Sequence, residues 1–158
     1  MSEKHAVHHY HAVCNWKGST GTGYDAYDRS HRITAPPAEQ ALDMSSDSVF
    51  HGKPELLNPE QLLVMAAASC QMLSFLAIAA RARLDVVEYQ DNAEGIMPEA
   101  DKPERITKII LKPRIVIKGQ AQEERIRQFV HTAHEHCYIA NSLKTEIELS
   151  PEIIIRQL

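Results

Sequence analysis

Three cysteines, Cys14, Cys70 and Cys137, are the residues of this chain best suited to covalent chemistry. An odd number of thiols, 56 and then 67 residues apart, makes a poor disulfide framework and fits no C-x-x-C zinc pattern. Each is therefore either a small packing residue or a reactive thiol, and only the thiolate attacks or exchanges. Cys70 and Cys137 fall on the inward faces of two predicted helices. If those helices pack together, the sulfurs come within reach of a disulfide. Spacing alone leaves open whether they react or merely pack. A cysteine in the middle of an apolar helix has no dipole to help it, so its pKa should rise unless a cation is delivered. Arg29 and Arg32 are the candidates for that cation. Such an arginine would need a carboxylate to hold its fork in place. Glu60 stands out because it opens an otherwise apolar helix, although a first-turn acid also satisfies the helix dipole.

Histidines suggest a second chemistry. His131, His134, His136 and Cys137 offer up to three donors at helical spacing, and His5, His8, His9 and His11 form another run. No acid or second cysteine is spaced to complete either set, so neither a metal nor another cofactor is expected.

The elements that must position these groups are readable from pattern. His8 to Trp16, Tyr27 to Thr34 and Gln40 to Met44 read as strands. Gly18, Gly21 and Gly23 mark a turn, and no strand-to-helix pattern follows to make a phosphate loop. A hydrophilic loop covers Ser45 to Leu57. Asn58 suits an N-cap, Pro59 the first helical position, and Gln61 completes a capping box. From there to Arg83 the chain is rich in Ala, Leu and Met, and apolar on nearly every side from Leu62 to Ala80. Such a helix should be enclosed by its own domain and by a partner subunit. Val86 to Met97 and Ile106 to Ile117, interrupted at Pro113, make a plausible antiparallel pair. Gln122 to Tyr138 reads as a second helix with Ile126, Val130, Ala133 and Cys137 on one face, and Thr145 to Ile155 as a last strand. The order predicts one α+β domain over 1–158, with a β-rich region over 1–57, a central helix over 58–83 and a β-β-α-β region over 84–158.

A length of 158 residues allows one domain with a real core. A formal net charge of −4 argues against a nucleic-acid binder. The longest apolar stretch, Leu62 to Ala80, is broken by Ser69, Cys70, Gln71 and Ser74, so no membrane span is expected. Met1 to His5 shows no apolar leader, which places the chain in the cytoplasm, where thiols stay reduced.

Two motifs carry a family resemblance. Asn58-Pro59-Glu60-Gln61-Leu62-Leu63 followed by Ala66-Ala67-Ala68-Ser69-Cys70 resembles the signature helix of the OsmC/Ohr family, the osmotically inducible and organic-hydroperoxide-resistance proteins. Ala133 to Leu143 resembles that family's second-cysteine segment. Trp16-Lys17-Gly18, Gly21-Thr22-Gly23 and Tyr27-Asp28-Arg29 are similar to the opening of its OsmC-like branch. The resemblance covers nearly the whole chain. It implies an intertwined homodimer with antiparallel sheets around the long helix and active sites at the subunit interface. It also implies a peroxidatic Cys70, a resolving Cys137, an activating Arg29 (with Arg32 three residues away) and a supporting Glu60. The activity implied is reduction of organic hydroperoxides through a sulfenic acid and a Cys70–Cys137 disulfide, with a dithiol reductant, typically lipoyl. Glu60 and Cys70, ten residues apart, lie about 15 Å apart on a straight helix, so Glu60 must act through an arginine, across subunits, or both. Met65, Met72, Phe75 and Leu76 would favour a bulky organic peroxide, or simply pack the core. Cys14 matches no cysteine of the family and reads as a packing residue. A non-catalytic binder of a small apolar ligand on the same fold is the rival reading.

Overall fold

The structure, a computed structural model, describes residues 6–157. His5 of the histidine run, with the rest of residues 1–5, and Leu158 lie outside the described residues. The chain divides into two compact units, Met1–Pro59 and Glu60–Leu158.

In the first unit, β1 (Val13–Asn15), β2 (His31–Thr34) and β3 (Ala41–Met44) form one antiparallel sheet in that order. The first two strands are shorter than the apolar alternation suggests, because the segments beside them bond locally. Ser19 caps a 3-10 turn at Thr20–Thr22, accepting from the Gly21 N–H at 3.2 Å. The Trp16 indole N–H donates to the Asp28 carbonyl at 2.6 Å, tying the two ends of this long connection together. After β3, Asp47 caps a second 3-10 turn, Ser48–Phe50, and buried Ser45 accepts from the Lys53 N–H at 3.1 Å. Gly52 is required here: a Cβ would sit 1.6 Å from the Ser46 carbonyl oxygen.

The second unit is built on α1 (Pro59–Arg81), whose first residue lies at the unit boundary. The three extended segments that follow are each broken once. They become β4 (Asp85–Asp91) and β5 (Glu94–Ile96), β6 (Lys108–Leu111) and β7 (Pro113–Lys118), and β8 (Glu146–Leu149) and β9 (Glu152–Arg156). Pro113 and Pro151 lack the N–H that an unbroken ladder would use. At the bend, the Lys112 N–H donates to Asp91 Oδ1 at 2.7 Å and the Ser150 N–H to the Leu111 carbonyl at 2.8 Å. The result is two three-stranded sheets, β4-β7-β9 and β5-β6-β8. The pairs β4–β7 and β5–β6 are antiparallel, as the pattern predicts. Pairs β6–β8 and β7–β9 are parallel, which corrects the expectation of purely antiparallel sheets. The helical segment between β7 and β8 makes the crossover that parallel pairing needs.

That segment is not one helix. α2 (Glu123–Glu135) ends at His136, and Cys137 begins a separate short helix, α3 (Tyr138–Ser142). Cys137 is therefore an N-cap, not a member of the α2 face that holds Ile126, Val130 and Ala133. Asn141 explains the break: its Nδ2 donates to the Glu135 carbonyl at 2.9 Å, satisfying one of the last carbonyls of α2.

Two apolar clusters fill the unit. Phe75 and Ala79 of α1 pack with Ile115 and Ile117 of β7 and with Ile126, Val130 and Ala133 of α2. Ala67 packs with Ile106, Ile109 and Leu111, joined by Ile139 and Leu143 around α3. α1 thus buries a stripe four residues apart: Ala67, Gln71, Phe75 and Ala79. The other stripe, Gln61, Met65, Ser69, Leu73 and Ala77, is exposed in the single chain, so the helix is not enclosed by its own unit. By length and composition α1 is also apolar enough to cross a bilayer, yet its buried stripe is packed into protein.

Candidate active site

Cys70 lies on the flank of α1, partly exposed, one residue before the buried stripe position Gln71. Gln71 donates from Nε2 to the Val130 carbonyl at 2.9 Å and so clamps this turn of α1 onto α2. Cys137 is buried and reaches Cys70 from the junction of α2 and α3, close enough for each thiol to shift the acidity of the other. No helix-on-helix face brings the sulfurs together. The work is done by the α2–α3 break, held by Asn141 on one side and by Ile139 and Leu143 in the core on the other.

This arrangement changes the expected acidity. Burial pushes the Cys70 thiol up, but the N–H groups of Ile139 and Tyr138, the Cys137 thiol and the Ser74 hydroxyl all favour the thiolate, and its pKa ends below the ordinary value. The expectation that a mid-helix cysteine must have a raised pKa without a cation is therefore overturned. The first turn of α3, which the sequence pattern merges into the preceding helix, supplies the donors. Cys137 moves the opposite way. Burial and the neighbouring Cys70 push it up to about 11, against the Ala140 N–H, which donates to its sulfur at 3.5 Å. The pair is thus one thiol poised to ionise beside one that stays protonated.

An open cavity of about 340 Å³ leads to Cys70, with Ser74 beside the sulfur and Leu73, Ala77 and Ile78 as its apolar wall. Arg81, His136 and Tyr138 complete its lining. None of Met65, Met72, Phe75 or Leu76 lines it. Phe75 and Leu76 belong to the core, and Met65 lies on the exposed stripe. Arg81 escaped the sequence reading, although its spacing of eleven residues from Cys70 is close to three helical turns.

Of the other predicted site residues, Glu60 opens α1, ten residues ahead of Cys70, with Oε2 buried and unpartnered among the described residues. Arg29 belongs to the first unit and is buried. Its guanidinium donates to the carbonyls of Tyr27 at 2.7 Å and Tyr24 at 2.6 Å, and lies 4.0 Å from the Tyr27 ring centroid. Carbonyls and rings, rather than a carboxylate, hold it. Arg32 has the carboxylate, pairing with Asp43 at 2.8 Å across β2 and β3, but both side chains are more than half exposed. Cys14 is not a core residue: it is exposed on β1 and lines a cavity of about 360 Å³ together with Trp16, Tyr27, Arg29 and His31. Among the described residues no three histidines, cysteines or acids converge to hold a metal ion.

Comparison with known proteins agrees with this architecture. The family model described as OsmC-like protein matches residues 52–152. An OsmC-like protein of unknown function from Vibrio cholerae is 31% identical, with a TM-score of 0.82 over 94% of this chain and 100% of that one. The uncharacterized protein YmaD of Bacillus subtilis is 25% identical over 96% of this chain and 97% of its own length. A Legionella pneumophila structure described as an organic hydroperoxide resistance protein OsmC has a TM-score of 0.66 at 17% identity, covering 95% of this chain and 99% of that one.

Proposed function

The chain belongs to the OsmC-like family, and from that premise we propose that it is a thiol-dependent peroxidase reducing organic hydroperoxides to alcohols. The observation that carries this reading is the thiol pair: Cys70, lining an open cavity with apolar wall residues, beside buried Cys137, the first thiol's pKa lowered and the second's raised. A family that includes organic hydroperoxide resistance proteins gives the pair its substrate class.

The Cys70 thiolate attacks the terminal oxygen of the peroxide. The O–O bond breaks, Cys70 becomes a sulfenic acid, and the alkoxide takes a proton from water to leave as the alcohol. Cys137, still carrying its proton, condenses with the sulfenic acid to form the disulfide and release water before oxidation climbs further. A dithiol reductant, of lipoyl type, gives its two thiol hydrogens to the disulfide and is itself oxidised. This cycle suits a reducing compartment such as the cytoplasm.

Arg29 is assigned the role of completing thiolate stabilisation. A buried guanidinium without a carboxylate among its described partners is costly unless another charge meets it. Arg32, already paired on the surface, is the poorer candidate. Glu60, whose Oε2 is buried and unpartnered among the described residues, is proposed to act on Cys70 through an arginine, across subunits, or both. The active form is a homodimer, which covers the exposed stripe of α1.

Reduction of cumene hydroperoxide with dihydrolipoamide tests the reading. Cys70→Ser should abolish turnover, and Cys137→Ser should leave a single-turnover sulfenic acid that dimedone traps. A wild-type protein whose Cys70 ignores peroxide would defeat the peroxidase reading and favour an apolar-ligand binder.

A further inference from the structure

A second cavity of the Glu60–Leu158 unit, about 510 Å³, has no part in the scheme above and shares no residue with the Cys70 cavity. It lies where the chain leaves α1 and where it enters α2, and its lining includes Arg83 and Arg125. Its apolar residues are continuous with the core, since Leu84 and Phe129 pack against the cluster that holds Phe75, Ala79 and Ile126. This is the side of α1 that carries the buried stripe, not the exposed stripe for which a partner subunit is proposed.

Arg83 ends α1 in the left-handed conformation, with φ 57°. Its N–H donates to the Ala80 carbonyl at 3.1 Å and the Leu84 N–H to the Ala79 carbonyl at 2.9 Å. These paired bonds close a helix around a position usually held by glycine. The turn needs the backbone conformation and makes no use of the guanidinium; glycine would adopt it with less strain. Arg125 lies with its guanidinium 5.2 Å from the Phe129 ring centroid. Neither arginine side chain makes an ion pair or hydrogen bond among the described residues, whereas Arg32, Arg105, Arg114 and Arg127 have carboxylate partners. Among the described residues no acid lines the cavity, and Glu123, at the start of α2, is engaged by Arg127. Gln122, the N-cap of α2, makes no side-chain cap bond, so the first-turn N–H groups of that helix are left without one. Two guanidiniums at one cavity repel each other, and the positive end of α2 adds to them. An anion held there relieves both.

We propose that this cavity binds a small aromatic phosphate monoester, at a site separate from the thiols. The phosphate carries close to two negative charges at pH 7 and so matches two guanidiniums, each able to grip it with paired N–H groups. A carboxylate would satisfy only one of them. The uncapped start of α2 favours the same anion. The aromatic body is accommodated by Leu84 and Phe129.

Isothermal titration calorimetry of the full chain with phenyl phosphate, inorganic phosphate and phenol tests the proposal. Phenyl phosphate should bind at least tenfold more tightly than inorganic phosphate, and phenol should not bind measurably. Arg83→Gly separates ligand loss from misfolding. Glycine suits the φ of 57°, so this variant should melt no lower than the wild type while losing at least tenfold in phenyl phosphate affinity. Arg125→Gln should lose a similar factor, and Phe129→Leu should bring phenyl phosphate toward the affinity of inorganic phosphate. Cys70→Ser should bind as the wild type does. Phenyl phosphate that fails to bind at millimolar concentration, or binds no better than inorganic phosphate, would overturn the proposal. Affinity that survives in Arg83→Gly, or is lost in Cys70→Ser, would overturn it as well.

Discussion

At the scale of single residues, the proposed chemistry rests on an asymmetry between two identical side chains. Cys70 and Cys137 have the same intrinsic acidity, and their surroundings pull them apart. Cys70 receives N–H donors that favour its thiolate. Cys137 is buried against a neighbour that becomes negative. A lowered pKa means that Cys70 stays ionised to a lower pH than a free thiol, and loses reactivity only as pH falls through that value. Iodoacetamide labelling followed residue by residue should show Cys70 half-reacting at a lower pH than an unperturbed thiol. Cys137 should remain almost silent until pH approaches 11. Cys137→Ala removes a donor to the Cys70 sulfur, so the Cys70 profile should move to higher pH. A Cys70 profile indistinguishable from that of an exposed peptide thiol would contradict this account. The thiols themselves are legible in the sequence, but their acidities are not. Tyr138 and Ile139 act through backbone N–H groups, which leave no trace in residue type.

At the scale of elements, the α2–α3 junction determines whether those N–H groups reach Cys70. The sequence around Cys137 carries no glycine or proline to announce a break, so a continuous helix through Tyr138 is the natural reading of the pattern. What ends α2 is a side-chain bond from Asn141 back to the Glu135 carbonyl. Asn141→Ala should cost about 1 kcal/mol, the usual worth of such a bond. More diagnostically, it should shift the Cys70 labelling profile upward, as the first turn of α3 loosens; a stability loss without that shift would mean the junction is held by Ile139 and Leu143 alone. Gln71 plays the complementary role on α1. It is fully buried, bonded to the Val130 carbonyl, and surrounded by the Phe75 and Val130 cluster. Gln71→Ala opens a cavity and removes the clamp, and should lower stability by about 2–3 kcal/mol in urea unfolding. A loss below about 0.5 kcal/mol would show that the two helices are held by apolar packing without it. The strand breaks follow the same lesson. Pro113 is readable as an interruption, whereas the division at Asn92 and Ala93 depends on the register of β4 against β7 and of β5 against β6.

At the scale of the whole molecule, the question is what covers the second stripe of α1. An apolar helix announces itself in sequence, and the buried stripe from Ala67 to Ala79 answers half of that signal. Met65 and Leu73 remain 52% and 61% exposed in the single chain, more than a lone α+β unit should leave open on its central helix. The proposed two-fold partner, laying the same stripe against this one, would account for both and would give Glu60 a destination. Glu60 is about 15 Å from Cys70 on its own helix, but a two-fold axis through the stripe carries the start of one helix toward the middle of the other. Met65→Glu, which would bury a charge on that axis, should convert the dimer to a monomer in sedimentation and lower peroxide turnover with it. A wild-type monomer at assay concentration would exclude the arrangement. Subunit mixing then tests whether Glu60 serves its own chain or its partner's. Cys70→Ser and Glu60→Gln homodimers should each be nearly inactive. After unfolding and refolding together, half of the dimers are mixed, and each has one site with an intact Cys70 facing an intact Glu60 of the partner. Activity should return to about a quarter of wild type. No recovery would assign Glu60 to its own chain, acting on Cys70 only through an arginine.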